Sequence, residues 1–145
     1  MTLTAPPARA SEQPRWRRMV PPVAVAGGLA AATLALYLRD PHDRGSWGMC
    51  PTAAMGFSCP GCGGLRAVND LGNLELGAAA SSNLLFVLSL PFIAWVFLRW
   101  TRGRWTGRRW EPSDRSLAVA GITVGVLMVV FTVVRNLPAG AWLAP

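Results

Sequence analysis

Three long apolar stretches, separated by polar segments, dominate the pattern of the chain. They cover residues 21–38, 78–98 and 117–134, and the first and third contain no charged residue. In a helix that rises 1.5 Å per residue, about 18 residues cover roughly 27 Å, which is close to the thickness of the hydrocarbon core of a bilayer. The pattern therefore predicts an all-α integral membrane protein with three transmembrane helices.

The amino-acid composition supports a membrane protein and favours lipid over nucleic acid as its partner. Hydrophobic residues make up 52% of the chain and charged residues 14%, against about 25% charged residues in soluble proteins. The net charge is +7, and all basic side chains are arginines that lie beside the apolar stretches. This placement favours anionic lipid headgroups. We expect the lipid bilayer as the main partner, a second membrane protein as a further partner, and no nucleic acid.

The distribution of arginines predicts the orientation. Residues 1–19 and the loop 99–116 together carry ten arginines, whereas the loop 39–77 and the C-terminal tail carry four. Because cytoplasmic segments are enriched in basic residues, the N-terminus and the loop 99–116 are expected in the cytoplasm. The loop 39–77 and the C-terminus are then expected outside, for a multi-pass protein of the cell membrane.

The polar segments suggest a simple organisation. Residues 1–19 have little to bury and are expected to be disordered, followed by a single membrane domain over residues 20–145. The first apolar stretch also resembles a cleavable signal peptide, but its apolar run is longer than such segments usually have.

Two local features are also expected. Leu65 to Leu71 is expected to form a short helix, and Pro91 is expected to kink the second span or to free a carbonyl there.

Small residues at helical spacing predict how the spans pack. Gly121 and Gly125 form a Gly-x-x-x-Gly pair in the third span. Such pairs let two backbones approach closely. We expect this pair to pack within the chain, with dimerisation as the alternative.

The loop 39–77 contains the main chemical feature of the sequence. Its nine residues from Cys59 to Ala67 read Cys-Pro-Gly-Cys-Gly-Gly-Leu-Arg-Ala, and Cys50 precedes them by nine residues. Together with the tail around Arg135, this segment resembles the bacterial family called domain of unknown function 2752, small membrane proteins with a Cys-Pro-x-Cys-Gly-x-x-Arg-Ala signature. The resemblance covers about residues 34–145. It implies these motif positions: Cys50, Cys59, Pro60, Cys62, Gly63, Arg66, Asn83, Arg135 and Asn136.

The chain also departs from the pattern of that family. Leu65 stands where the family commonly has threonine, and Leu84 follows Asn83 where proline is frequent. Leu74-Glu75 replaces a Gly-Asp pair. The family has no established activity, so the resemblance implies architecture and leaves the chemistry open.

Three kinds of chemistry fit the cysteines. A Cys-x-x-Cys pair that precedes a helix suits thiol–disulfide exchange, although no thioredoxin-like pattern surrounds it. Cys50, Cys59 and Cys62 could instead bind zinc, with His42 as a fourth ligand. In the third interpretation, Cys50 forms a disulfide with Cys59 or Cys62 and fixes the outer loop.

We favour a structural or accessory membrane component whose outer cysteine loop organises the external face. The alternative is a thiol–disulfide or zinc-dependent site at the Cys-Pro-Gly-Cys motif. No hydrolase or transferase motif is present in the sequence, so no catalytic residue is assigned and an enzyme is the less favoured class. No cofactor is predicted apart from the zinc of the alternative.

Overall fold

The fold is built from helices, as the sequence predicts. The computed structural model describes residues 14–43, 47, 51–108 and 111–143. Within these ranges there are five α-helices and no strand. The helices are α1 (Arg15–Leu38), α2 (Pro51–Ala54), α3 (Gly64–Gly72), α4 (Leu76–Thr106) and α5 (Asp114–Arg135), followed by a 3-10 helix (Pro138–Leu143). The short helix expected after the cysteines is confirmed as α3, whereas Cys50 lies outside the described residues.

Three of these helices, α1, α4 and α5, are long and apolar enough to cross a membrane. The predicted number of spans is therefore confirmed. Helix α1 begins at Arg15, ahead of the predicted span 21–38, so residues 15–19 are helical and not disordered. The physical reason is that its prolines, Pro21 and Pro22, do not end the helix. The rest of the predicted disordered segment, residues 1–13, lies outside the described residues.

Side-chain hydrogen bonds join α1 to α4 at one end and to α3 at the other. Pro22 lacks an N–H, so the carbonyl of Arg18 receives no helical hydrogen bond from it. Arg104 near the end of α4 donates its Nε–H to that carbonyl at 2.9 Å. At the opposite end, the Asn69 side chain of α3 donates to the carbonyl of Leu36 at 2.8 Å. The start of α1 thus lies beside the end of α4, and α3 closes the other end.

Helix α4 is interrupted near its start. Asn83 has φ −160° and ψ 89°, which are not helical angles. Its side-chain Oδ1 accepts the N–H of Phe86 at 3.0 Å, so Asn83 caps the longer second part of the helix. The residue with non-helical angles is thus Asn83, whereas Pro91 lies inside the helix, and the kink or freed carbonyl expected at Pro91 stays a prediction.

Helix α5 is joined to the protein mainly through its C-terminal end. The 3-10 helix contacts both α5 and α4. A Cβ atom added at Gly121 or Gly125 would meet no described atom within 4 Å outside their own helix. The expectation that this pair packs within the chain is therefore wrong for the described residues. Their face of α5 is open because α5 docks at its end and not along its length.

Candidate functional site

The residues 58–63, here called the cysteine loop, form two consecutive turns. The N–H of Cys62 donates to the carbonyl of Cys59 at 3.1 Å, and the N–H of Gly64 donates to the carbonyl of Gly61 at 3.1 Å. Gly63 has φ 78°, a left-handed conformation that disfavours residues with a Cβ atom. Gly63 therefore allows the chain to pass directly from the loop into α3.

The side chains of two cysteines face each other in this loop. The Sγ atoms of Cys59 and Cys62 are 3.0 Å apart. Cys62 is buried and Cys59 is half-buried. The Thr52 hydroxyl lies 3.7 Å from the Cys62 sulfur. Hydrogen bonding, first from Cys62 and then from Thr52, holds the pKa of the Cys59 thiol below its ordinary value.

Arg135, in the last turn of α5, binds the cysteine loop through its backbone carbonyls. Its side chain is buried, with 2% of the residue exposed. One terminal nitrogen donates to the carbonyls of Cys59 and Cys62 at 3.0 and 3.1 Å. The other donates to the carbonyl of Leu143 at 2.8 Å, and the guanidinium carbon lies 4.9 Å from the centre of the Phe131 ring. Arg135 thereby ties the loop, α5 and the 3-10 helix together.

The charge of Arg135 has an unusual environment. In the described part of the chain, no carboxylate oxygen lies within 4.0 Å of a guanidinium nitrogen of Arg135. Its buried Nε atom has no hydrogen-bond partner among the described residues. A buried charge without a partner of opposite sign is costly. The groups that surround this guanidinium are the backbone carbonyls of Cys59, Cys62 and Leu143 and the Phe131 ring.

Two asparagines complete the attachment of the loop. Asn136 donates to the carbonyl of Ser58 at 2.9 Å and accepts the N–H of Ser58 at 3.0 Å. Asn83, which is 2% exposed, donates to the carbonyls of Pro60 and Cys62 at 2.9 and 3.2 Å. The loop is thus bound to α4 by Asn83 and to the end of α5 by Asn136.

A second polar cluster lies beside the loop, around the buried carboxylate of Asp70 in α3. Ser82 donates its hydroxyl to Asp70 at 2.8 Å, and Nε2 of His42 lies 3.2 Å from the other oxygen. Nδ1 of His42 is 2.8 Å from Asp40. The backbone N–H of His42 is the largest cause that lowers the pKa of Asp40, and the positive charge of Arg66 contributes.

His42, the fourth zinc ligand considered from the sequence, therefore contacts Asp40 and Asp70 in this structure. Among the described residues, no group of three His, Cys, Asp or Glu side chains is placed to hold a metal ion. The zinc set also requires Cys50, which lies outside the described residues. The zinc site and the disulfide from Cys50 both stay predictions.

The structure brings most of the motif positions to one place. Cys59, Pro60 and Cys62 accept hydrogen bonds from the side chains of Asn83 and Arg135, and Asn136 bonds to the adjacent Ser58. Gly63 provides the turn, and Arg66 is half-buried on α3. Four further side chains that are not among the motif positions contribute to this end of the molecule: Thr52, Asn69, Asp70 and Ser82.

A comparison with known families supports the resemblance expected from the sequence. Residues 50–97 match the model of a family described as "Protein of unknown function (DUF2752)". The resemblance expected from the sequence is thereby confirmed for residues 50–97. The match covers the cysteine loop, α3 and Asn83, whereas Arg135 and Asn136 follow it. No curated protein and no solved structure matches the chain.

Proposed function

We propose that the protein is a structural or accessory component of the cell membrane whose cysteine loop organises the external face. The observation that carries this proposal is the attachment of one short loop by three polar side chains, Asn83, Arg135 and Asn136. Two of them, Asn83 and Arg135, are buried. Buried polar side chains are costly unless their hydrogen bonds are made, so their combined use on one loop supports a role in keeping its shape.

Leu74, between α3 and α4, supports an interaction surface at the same end. It is 85% exposed and has φ 63°. A left-handed conformation costs a residue with a Cβ atom about 1–2 kcal/mol, and such strain is concentrated at functional positions. Exposed apolar side chains accompany it on the connecting segments, including Met55 and Phe57. The partner that fits this surface is another membrane protein.

The orientation is part of the proposal. The arginine-rich end, where Arg18 meets Arg104, faces the cytoplasm, and the cysteine loop faces the outside. A membrane-impermeant maleimide added to intact cells is expected to label the half-buried Cys59 in a Cys50→Ser variant. Labelling that requires permeabilised membranes would reverse the orientation.

Site-specific photo-crosslinking tests the interaction. A photoreactive amino acid at position 74, in cells that produce the full chain, is expected to give one discrete crosslinked protein. The same amino acid at position 117, which is also an exposed leucine but lies at the opposite end, is the matched control. Asn83→Ala is expected to weaken the crosslink because it releases the cysteine loop. Crosslinks to lipid alone, or a pattern that is unchanged by Asn83→Ala, would refute the proposal.

A further inference from the structure

We propose that Cys59 and Cys62 form a redox-active dithiol that exchanges disulfides with other proteins. This goes beyond a structural role, because it assigns a chemical activity and a substrate class, protein disulfides, to the same loop. The inference depends on three observations: the proximity of the two sulfurs, their unequal exposure, and the buried positive charge of Arg135 next to the loop.

The proximity of the sulfurs suits an exchange reaction. Both cysteines are reduced, and their Sγ atoms are 3.0 Å apart. A disulfide bond of about 2.05 Å between them requires only a small displacement of the side chains. The loop is held by the side chains of Asn83 and Arg135 through carbonyl groups and not through the sulfurs. The sulfurs are therefore free to change partners while the loop stays attached.

Unequal exposure gives the two cysteines different roles. Cys59 is half-buried and reachable from outside, whereas Cys62 is buried and has the Thr52 hydroxyl beside its sulfur. An incoming protein disulfide can approach Cys59 but not Cys62. Cys59 is therefore the attacking cysteine, and Cys62 is the one that resolves the mixed disulfide.

The buried charge of Arg135 favours a thiolate in the loop. Its guanidinium donates to the carbonyls of both cysteines and has no carboxylate partner among the residues described. A thiolate on either sulfur supplies the missing negative charge, and nearby cations stabilise thiolates. Arg135 contacts neither the incoming disulfide nor the bond that breaks, so it acts as a positioning residue.

The exchange takes place in two steps. The Cys59 thiolate attacks one sulfur of the partner's disulfide, a Cys59–partner bond forms, and the leaving partner thiolate takes up a proton. Cys62 then transfers its proton to the second partner sulfur and attacks the Cys59 sulfur, which releases the partner. The pair is oxidised by two electrons to a Cys59–Cys62 disulfide, and the partner's disulfide is reduced to two thiols.

Oxidised glutathione, as a model disulfide, tests the reaction on the purified full chain in detergent. In a Cys50→Ser background, mass spectrometry is expected to find a Cys59–Cys62 disulfide without a glutathione adduct. Adding Cys62→Ala is expected to trap glutathione on Cys59. Adding Cys59→Ala instead is expected to slow the reaction at least about fivefold, since the remaining thiol is buried.

Unmutated protein provides a second measurement that does not depend on the folding of variants. Limiting iodoacetamide, followed by peptide mapping, is expected to label Cys59 before Cys62.

Arg135→Met is expected to move the pH profile of Cys59 alkylation to higher pH, and Arg135→Lys is expected to restore part of the shift. A purely structural arginine would leave that profile unchanged.

Two results would overturn the inference. One is a glutathione adduct that persists on the pair when both Cys59 and Cys62 are present. The other is equal labelling of the two cysteines by limiting iodoacetamide. Neither result affects the crosslink at position 74, so failure of the dithiol activity is distinguishable from failure of the proposed structural role.

Discussion

Replacing Arg135 by methionine tests the energetic argument for the cysteine loop. The substitution keeps an apolar side chain of similar length and removes three donated hydrogen bonds. The carbonyl of Leu143 loses its side-chain donor. The carbonyls of Cys59 and Cys62 each keep one other donor, the Cys62 N–H and the Asn83 side chain respectively.

The expected loss follows from these three acceptors. An orphaned buried carbonyl costs about 1–3 kcal/mol, and each half-satisfied one costs the net value of a single hydrogen bond, about 0.5–1.5 kcal/mol. The sum is about 4 kcal/mol for the closed state of the loop. Since every 1.4 kcal/mol corresponds to a factor of ten, the population of the open loop should rise roughly 700-fold.

Labelling of the buried Cys62 measures this opening. We expect its reaction with a membrane-impermeant maleimide to become roughly 700-fold faster in Arg135→Met, with denatured protein giving the intrinsic rate of each variant. Arg115→Met is the matched control, because Arg115 is an exposed arginine at the other end of the same helix. Equal protection of Cys62 in Arg135→Met and Arg115→Met would refute the reasoning.

Three further predictions concern the same end of the molecule. Gly140→Ala is expected to lower the thermal stability in detergent, because its Cβ would overlap the backbone of α5, whereas Gly125→Ala meets open space and should be tolerated. Leu74→Gly is expected to raise the free energy of unfolding by about 1 kcal/mol by relieving the left-handed conformation, and an unchanged melting temperature would contradict this. Because hydrogen bonding from Cys62 lowers the pKa of Cys59, stability should decrease as the pH falls from the ordinary thiol pKa through the lowered one. Thermal melts should lose this pH slope in Cys59→Ser.

The number and place of the spans could be predicted because bilayer thickness fixes the length of an apolar helix. The short helix after the cysteines was also predictable, since Gly63 and Gly64 end the turn that precedes it. The start of α1 was not, because prolines near a helix start are compatible with either an end or a continuation.

The candidate site was predictable as a set of residues but not as an arrangement. The resemblance singled out Asn83, Arg135 and Asn136, yet no local pattern indicates that they converge on one loop. The contact between Arg135 and Cys62 joins residues 73 positions apart. Asp70 illustrates the other limit: a single aspartate in a polar segment predicts exposure, and only the tertiary contacts of Ser82 and His42 explain its burial.

The long sequence separation of the loop contacts has a consequence for biosynthesis. Ser58 and its partner Asn136 are 78 residues apart, and Cys59 and Arg135 are 76 apart. At about 5–20 residues per second, the ribosome needs on the order of ten seconds to make the intervening chain. During that interval the newly made thiols have neither Arg135 nor Asn136 to shield them. Cellular oxidases and chaperones can therefore reach these cysteines before the last span is inserted.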